Sequence, residues 1–363
     1  MSAPPRGDAA GARRGIVDRL AARLQRWSIT RQNAEGRDFA TIHHRPKRAA
    51  QVGTWPEPAL ALPSMAVAMQ GPVMAEDDFT LETLALYRRS MPGVRLILST
   101  WRDTPAPLLA PIERLGVEIV LNDKPAAAGM FNVNLQIASA AAGVRRAVEG
   151  GAEWVLKTRV DQRLYAPNAL AFLHAMATAF PVASGLGQRA RIVGVGQGSM
   201  KYAPYHVTDQ TVFGAAEDML AYWTPPLRLE TWPEGWPGDA AGAFLTVPVG
   251  EFCRRAVAEC YFASRFLERI GRPLDWSLAD SWAAYRDHFL FVDYAGTDFY
   301  WVKGQTYSQR EHSTRYDAIT NREEMLFRDW MLLWSGRLDP AVAAAYEAAA
   351  YGGAFNAPIP APA

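Results

Sequence analysis

Glu153-Trp154-Val155-Leu156-Lys157-Thr158-Arg159-Val160-Asp161-Gln162-Arg163-Leu164-Tyr165 is the stretch on which the fold turns. A short apolar run, Trp154 to Leu156, gives way abruptly to polar and charged residues. The pattern reads as a buried strand whose carboxyl end emerges into a site, with a carboxylate flanked by guanidinium groups and an amide. Ligands of open α/β sheets sit outside the carboxyl ends of the strands, so Asp161 is the first candidate for chemistry. The other reading is a strand followed by a solvated turn.

Upstream of this stretch, strands and helices alternate. Met65 to Met69 reads as a strand closed by Gln70-Gly71-Pro72. Phe79 to Ser90 reads as a helix with Asp77 or Asp78 as its cap, stopped near Pro92. Val94 to Trp101 is the second strand, and a short helix around Leu108 to Leu115 leads to a third, Val117 to Leu121. Asn134 to Glu149 is an Ala-rich helix ended by Gly150-Gly151. Four strands alternating with helices predict a mostly parallel central sheet with helices on both faces, an α/β Rossmann-like fold. Each strand ends in polar residues: Gln70, then Ser99-Thr100, then Asn122-Asp123, then Arg159 and Asp161. These tips are expected to converge on one crevice.

Downstream, Asn168 to Ala179 reads as a helix and Arg191 to Gly198 as a strand and turn. Its three alternating glycines are followed by no helix pattern, which argues against a phosphate-cradling loop. Thr211 to Gly214 reads as a strand and Ala215 to Trp223 as a helix. Pro225 to Gly242 reads as a loop, Val249 to Ile270 as one long helix, Phe289 to Asp293 as a late strand and Asn321 to Trp334 as a closing helix. The expected organisation is an extension over 1–60, a single domain over 61–338 (halves 61–165 and 166–338), and an Ala/Pro-rich tail over 339–363.

The 363 residues are 49% hydrophobic and 21% charged, enough for a sizeable core. A net charge of +1 gives no reason to expect a nucleic-acid partner. The two cysteines, Cys253 and Cys260, lie seven apart in a helical pattern, with neither disulfide nor zinc spacing. A reducing cytoplasm is the default location. No apolar run reaches the roughly 20 residues of a membrane span. Residues 1–60 carry 11 Lys and Arg against five Asp and Glu. In Gly15 to Trp27, Ile16, Leu20, Leu24 and Trp27 share one helical face with Arg19, Arg23 and Arg26 around it. Such a helix can contact an anionic inner membrane peripherally; the alternatives are a helix docked on its own domain or a poorly ordered extension.

Met69-Gln70-Gly71-Pro72, Phe79 to Tyr87, Leu98 to Trp101 and Asn132-Val133-Asn134-Leu135-Gln136 together resemble the WavE family of lipopolysaccharide synthesis proteins. So do Leu156 to Arg163 and Lys201 to Asp209 with Phe213-Gly214. The resemblance covers roughly residues 65 to 335. It implies a GT-A-like fold and a glycosyltransferase that takes a sugar nucleotide as donor and a lipopolysaccharide, or another glycan or lipid-linked glycan, as acceptor.

That chemistry needs a compensated diphosphate, a held donor and a base for the acceptor hydroxyl. GT-A enzymes commonly bind a divalent metal, Mn or Mg, on a strand-end Asp-x-Asp. Here the stretch is Arg159-Val160-Asp161, leaving Asp161 as the metal candidate. Alternatively, Arg159 and Arg163 pair with the diphosphate directly. Gln70, Thr100, Trp101 and Asp123 are expected at the base and ribose, and Asn132, Asn134 and Gln136 at the sugar or diphosphate. Asn134 is equally readable as a helix cap. Asp209, Glu251 and Asp293 are the base candidates, and Tyr205 and His206 the acceptor contacts. His312, after Glu311, reads either as a late metal ligand or as a surface histidine. A non-catalytic sugar-nucleotide or glycan-binding scaffold is the competing function.

Overall fold

The computed structural model describes residues 8–35, 44–54, 62–196, 198–302, 324–347 and 353. Two compact units emerge, residues 1–46 and 47–363. The first contains α1 (Asp8–Glu35), longer at both ends than the expected Gly15 to Trp27. Leu20, Leu24 and Trp27 are exposed on it, as are Arg19, Arg23 and Arg26.

The second unit is a three-layer α/β structure. β1 (Met65–Gln70), α2 (Phe79–Ser90), β2 (Arg95–Trp101), α3 (Ala106–Glu113), β3 (Glu118–Asn122), α4 (Val133–Glu149) and β4 (Trp154–Arg159) follow in order. β1, β2, β3 and β4 are all parallel. β1 is buried at every residue, as a central strand covered on both faces should be. Each fully buried side chain such as Leu156 contributes roughly 1.5–3 kcal/mol. α4 packs its Ile137, Ala140, Ala141, Val144 and Ala147 stripe on this sheet. Gly143 lets it come close, since a Cβ there would lie 3.1 Å from Ser99 Cβ.

The chain continues through β5 (Gln162–Leu164), α5 (Ala169–Ala179), β6 (Ile192–Val195), β7 (Thr211–Ala215), α6 (Ala216–Trp223), α7 (Ala240–Thr246), α8 (Val249–Arg255) and α9 (Ala258–Arg269). It then forms α10 (Leu278–His288), β8 (Phe289–Val292), the single turn α11 (Tyr294–Thr297), β9 (Phe299–Trp301) and α12 (Phe327–Trp334). The main sheet has the order β3-β2-β1-β4-β7-β6-β8. β7 alone runs against the others, because β4 and β6 pair with it antiparallel while β8 is parallel to β6. The result is the expected Rossmann/GT-A-like sheet flanked by helices, with a helical C-terminal part. β5 and β9 make a separate antiparallel pair.

Several expectations change. Asp77 and Asp78 do not cap α2: both have positive φ, and their carboxylates pair with Lys47 and Arg48. The long helix over 249–270 is broken, with Val257 extended between α8 and α9. α7 occupies the end of the expected loop, and α10 has no counterpart in the sequence reading. The start of the tail is packed, with Ala343 fully buried and Tyr346 against Tyr202.

Candidate functional site

The parallel register sets the tips of the strands side by side. Gln70 faces Ser99 on one flank and Arg159 on the other, and Trp101 faces Asn122. Beyond β1, Gly71 has φ +123, and a Cβ there would lie 3.0 Å from Val160 Cγ2. Only glycine allows the two tips this approach. A cavity of about 530 Å³ opens above them, lined by Gln70, Trp101, Asn132, Gln136, Arg159 and Asp161 among others. A second cavity, of about 340 Å³, is lined by His206, Asp209, Gln210, Glu259 and Trp301. The two share Phe131, Gln136 and Arg159 as a common wall.

Phe131 is a bulky residue at φ 53, and Asn132 follows at φ 62. A left-handed phenylalanine is an outlier of the kind concentrated at functional sites. Its ring lies 6.1, 6.0 and 5.8 Å from Trp232, Phe244 and Phe252. That aromatic cluster is the packing that holds the strained backbone in place. Gln136 stands one helical turn further on, and its Oε1 is buried without a hydrogen-bond partner among the described residues.

The charged centre of the site is the pair Arg159–Asp161. Arg159 Nε and Nη2 donate to the two oxygens of Asp161 at 3.0 and 3.1 Å. Trp301 Nε1 donates to the same carboxylate at 3.2 Å. Burial disfavours the Arg159 cation, but Asp209 and Asp161 outweigh it and hold its pKa above the ordinary value. The Asp161 carboxylate is thus already ligated by protein donors. It is the only acidic side chain around the 530 Å³ cavity among the described residues. No group of three His, Cys, Asp or Glu side chains placed to hold a metal ion is found among those residues. Asp161 therefore stands in the cavity as the partner of Arg159, a single carboxylate with no second acid beside it in the described lining. His312 lies outside the described residues.

The second cavity holds two acids. The side chain of Asp209 is nearly fully buried, and its carboxylate has no hydrogen bond or ion pair among the described residues. Below it, the fully buried Lys157 Nζ donates to the backbone carbonyls of Asp209 and, at 3.2 Å, Gln210, and lies 4.1 Å from the Trp223 ring centroid. Burial pulls the Lys157 pKa down to about 7, against the pull of Asp209. A buried network (Gln162 to Gln210 at 2.9 Å, Thr211 to Gln162 at 3.0 Å) fixes the same loop from the β5 side. His206 donates Nδ1–H to the Gly198 carbonyl at 2.9 Å, and burial lowers its pKa to about 4, so the ring is neutral. Glu259, in the first turn of α9, is pushed well above the usual carboxylate range by burial and then by Asp209.

Of the residues expected at the donor, Gln70, Trp101, Asn132, Gln136 and Arg159 line the first cavity. Thr100 is buried and bonded to Thr104. Asp123 is exposed and paired with Arg102 at 2.7 Å. Asn134 neither caps α4 nor faces the cavity: its amide clamps Arg228 N at 2.7 Å and the carbonyls of Ala127 and Arg228. Arg163 is also corrected. It is buried under α2, donating to Thr83 Oγ1, Phe79 O, Lys47 O and Tyr165 Oη, with the Phe79 ring 4.3 Å away. That engagement keeps it from any phosphate.

Among the base candidates, Asp209 lines the second cavity, and Glu251 and Asp293 line neither of the two. Glu251 is exposed and bound by Arg255 and Trp236. Asp293 accepts from Phe327 N at the start of α12. His206 lines the second cavity, whereas Tyr205 is buried with its hydroxyl on Asp280. Glu259, Phe131, Gln210, Lys157 and Trp301 escape the sequence reading. The available signal for Glu259 is Arg254-Arg255 followed closely by an acid, the charge order of one helix ending and another beginning.

Comparison with known proteins gives one family match, over part of the chain. No curated protein matches the chain. Among solved structures, the mannose-1-phosphate geranyltransferase of Thermus thermophilus is similar at 16% identity and a TM-score of 0.30, over 45% of this chain. The match spans 62% of that structure, less than two thirds of its length. The family described as WavE lipopolysaccharide synthesis matches residues 65–232, which includes every strand of the parallel half and the Asp209 loop.

Proposed function

We propose that this protein is a glycosyltransferase that moves a sugar from a sugar nucleotide to a lipopolysaccharide or another cell-surface glycan. The observation that carries the reading is the pair of cavities meeting at Phe131, Gln136 and Arg159, one at the parallel strand tips and one holding two acids. The donor occupies the first cavity, with residues 61–165 as the nucleotide half, and the acceptor enters the second from residues 166–338. The sugar lies at the shared wall, where Gln136 Oε1 accepts a hydroxyl.

In the reaction the acceptor oxygen bonds to the anomeric carbon as the bond from that carbon to the diphosphate oxygen breaks. The electron pair stays with the diphosphate, and the acceptor proton passes to Asp209. Lys157, through the Asp209 and Gln210 carbonyls, positions the base. Glu259 remains protonated beside it, which avoids a second negative charge in the same cavity. The exposed Leu20, Leu24 and Trp27 of α1, with Arg19, Arg23 and Arg26, support a peripheral contact with the inner membrane, where lipid-linked glycans are built. No described helix is long and apolar enough to cross a membrane.

Thermal shift against a panel of nucleoside diphosphates tests the reading, since a ligand at 100 Kd stabilises by about 2.7 kcal/mol. One nucleotide should raise the melting temperature, and Asp209→Asn should keep that shift while losing sugar-nucleotide turnover by at least about a hundredfold. No shift with any nucleotide would remove the donor site. Binding without turnover in the unmodified protein, across glycan acceptors, would favour the scaffold.

A further inference from the structure

A departing diphosphate carries negative charge that the site must compensate. Resting on the donor-site reading, we propose that the Arg159 guanidinium compensates the diphosphate without a divalent cation, and that Asp161 serves to aim it. Arg159 uses Nε and one Nη2 hydrogen on Asp161. A guanidinium carries five N–H donors, so the two hydrogens of Nη1 and the second of Nη2 have no protein acceptor among the described residues. The same side chain lines both cavities, with about 20% of its surface exposed. It therefore stands where a leaving diphosphate and an incoming acceptor meet, with donors in the planar fork that suits phosphate oxygens.

Asp161 is built to stay with its arginine. Its backbone carbonyl accepts from Val302 N at 3.1 Å, and Gln162 pairs with Trp301 in the β5–β9 ladder. These contacts hold the Trp301 indole on the carboxylate, whose exposure is 7%. Turning Asp161 toward a metal would break the indole bond and both arginine bonds. It would also set a dication beside a guanidinium with no second acid in the cavity, among the described residues, to offset the repulsion.

Isothermal titration calorimetry of the full chain with nucleoside diphosphates and inorganic pyrophosphate, in EDTA and again in Mn²⁺, tests the proposal. Binding in EDTA should be within about threefold of binding in Mn²⁺. Arg159→Gln should weaken it roughly ten- to hundredfold, the loss of one or two charge-assisted bonds. Asp161→Asn should bind at least as tightly as the unmodified protein, because the guanidinium is kept. A metal ligand would give the opposite sign. Should Arg159→Gln alone fail to fold around the buried acid, the double variant Arg159→Gln, Asp161→Asn keeps the pair neutral and should show the same loss. Binding only in Mn²⁺, or loss in Asp161→Asn with Arg159→Gln unaffected, overturns the proposal while leaving the donor site standing. No diphosphate binding in either condition overturns both.

Discussion

Glu259→Gln should make this protein more stable at neutral pH. The carboxyl of Glu259 is raised from the ordinary 4.5 to about 8, first by burial and then by Asp209, with Arg159 and Lys157 pulling the other way. Between pH 4.5 and 8 the unfolded chain releases this proton while the folded chain keeps it, so the folded state loses stability as pH rises. Each pKa unit is worth about 1.4 kcal/mol, which gives about 3 kcal/mol at pH 7, and partial solvent access reduces this to about 2 kcal/mol. Glutamine has the same shape and never ionises, so the variant escapes the penalty. Urea denaturation at pH 5, 7 and 8.5 reads the effect. The two proteins should be nearly equal at pH 5, the variant should lead by about 2 kcal/mol at pH 7, and the gap should level off above pH 8. A gap that is independent of pH, or a variant less stable at pH 7, would refute the account. Greater stability with altered turnover near pH 8 is the trade-off expected of a site residue.

Arg163→Met should cost about 3 kcal/mol in urea, because Lys47 O loses its donor and the Phe79 ring its cation; nucleotide affinity measured by calorimetry should stay within twofold. Gln136→Leu, by contrast, should leave the urea midpoint nearly unchanged, since its Oε1 has no protein partner to lose among the described residues. It should raise KM for donor or acceptor about tenfold or more, and a large stability loss would show that the side chain is structural. Trp27→Glu with Leu24→Glu should abolish sedimentation of the full chain with vesicles of 30% phosphatidylserine. Binding that persists, or equal binding of the unmodified protein to neutral vesicles, would remove the membrane role of α1.

Where a local pattern carries the information, the sequence was sufficient. Trp154 to Leu156 followed by charge, and the earlier apolar runs with polar ends, specified four strands pointing one way. The register Gln70 with Ser99 and Arg159 is that reading in three dimensions. Gly71 and Gly143 sit where two backbones must approach, again a local demand. The segments that carry the family resemblance fall on the ends of β1, β2 and β4, on α2, at the start of α4 and on the Asp209 loop.

Pairing across long separations lay beyond the sequence. Arg159 and Arg163 are four positions apart and look alike, yet β5 turns one toward the cavities and buries the other under α2. Phe79, Thr83 and Lys47, all distant in the chain, accept from Arg163 together with the nearby Tyr165. Glu251 and Glu259 both begin a helical turn, but the break at Val257 brings the second to Asp209 and leaves the first exposed. The strand pattern by itself determined the sheet, its direction and the edge where a ligand can sit, because burial periodicity is written residue by residue. Which charges face that edge was decided only by tertiary structure, because a buried ion is placed by partners that the chain supplies from some 80 to 140 residues away.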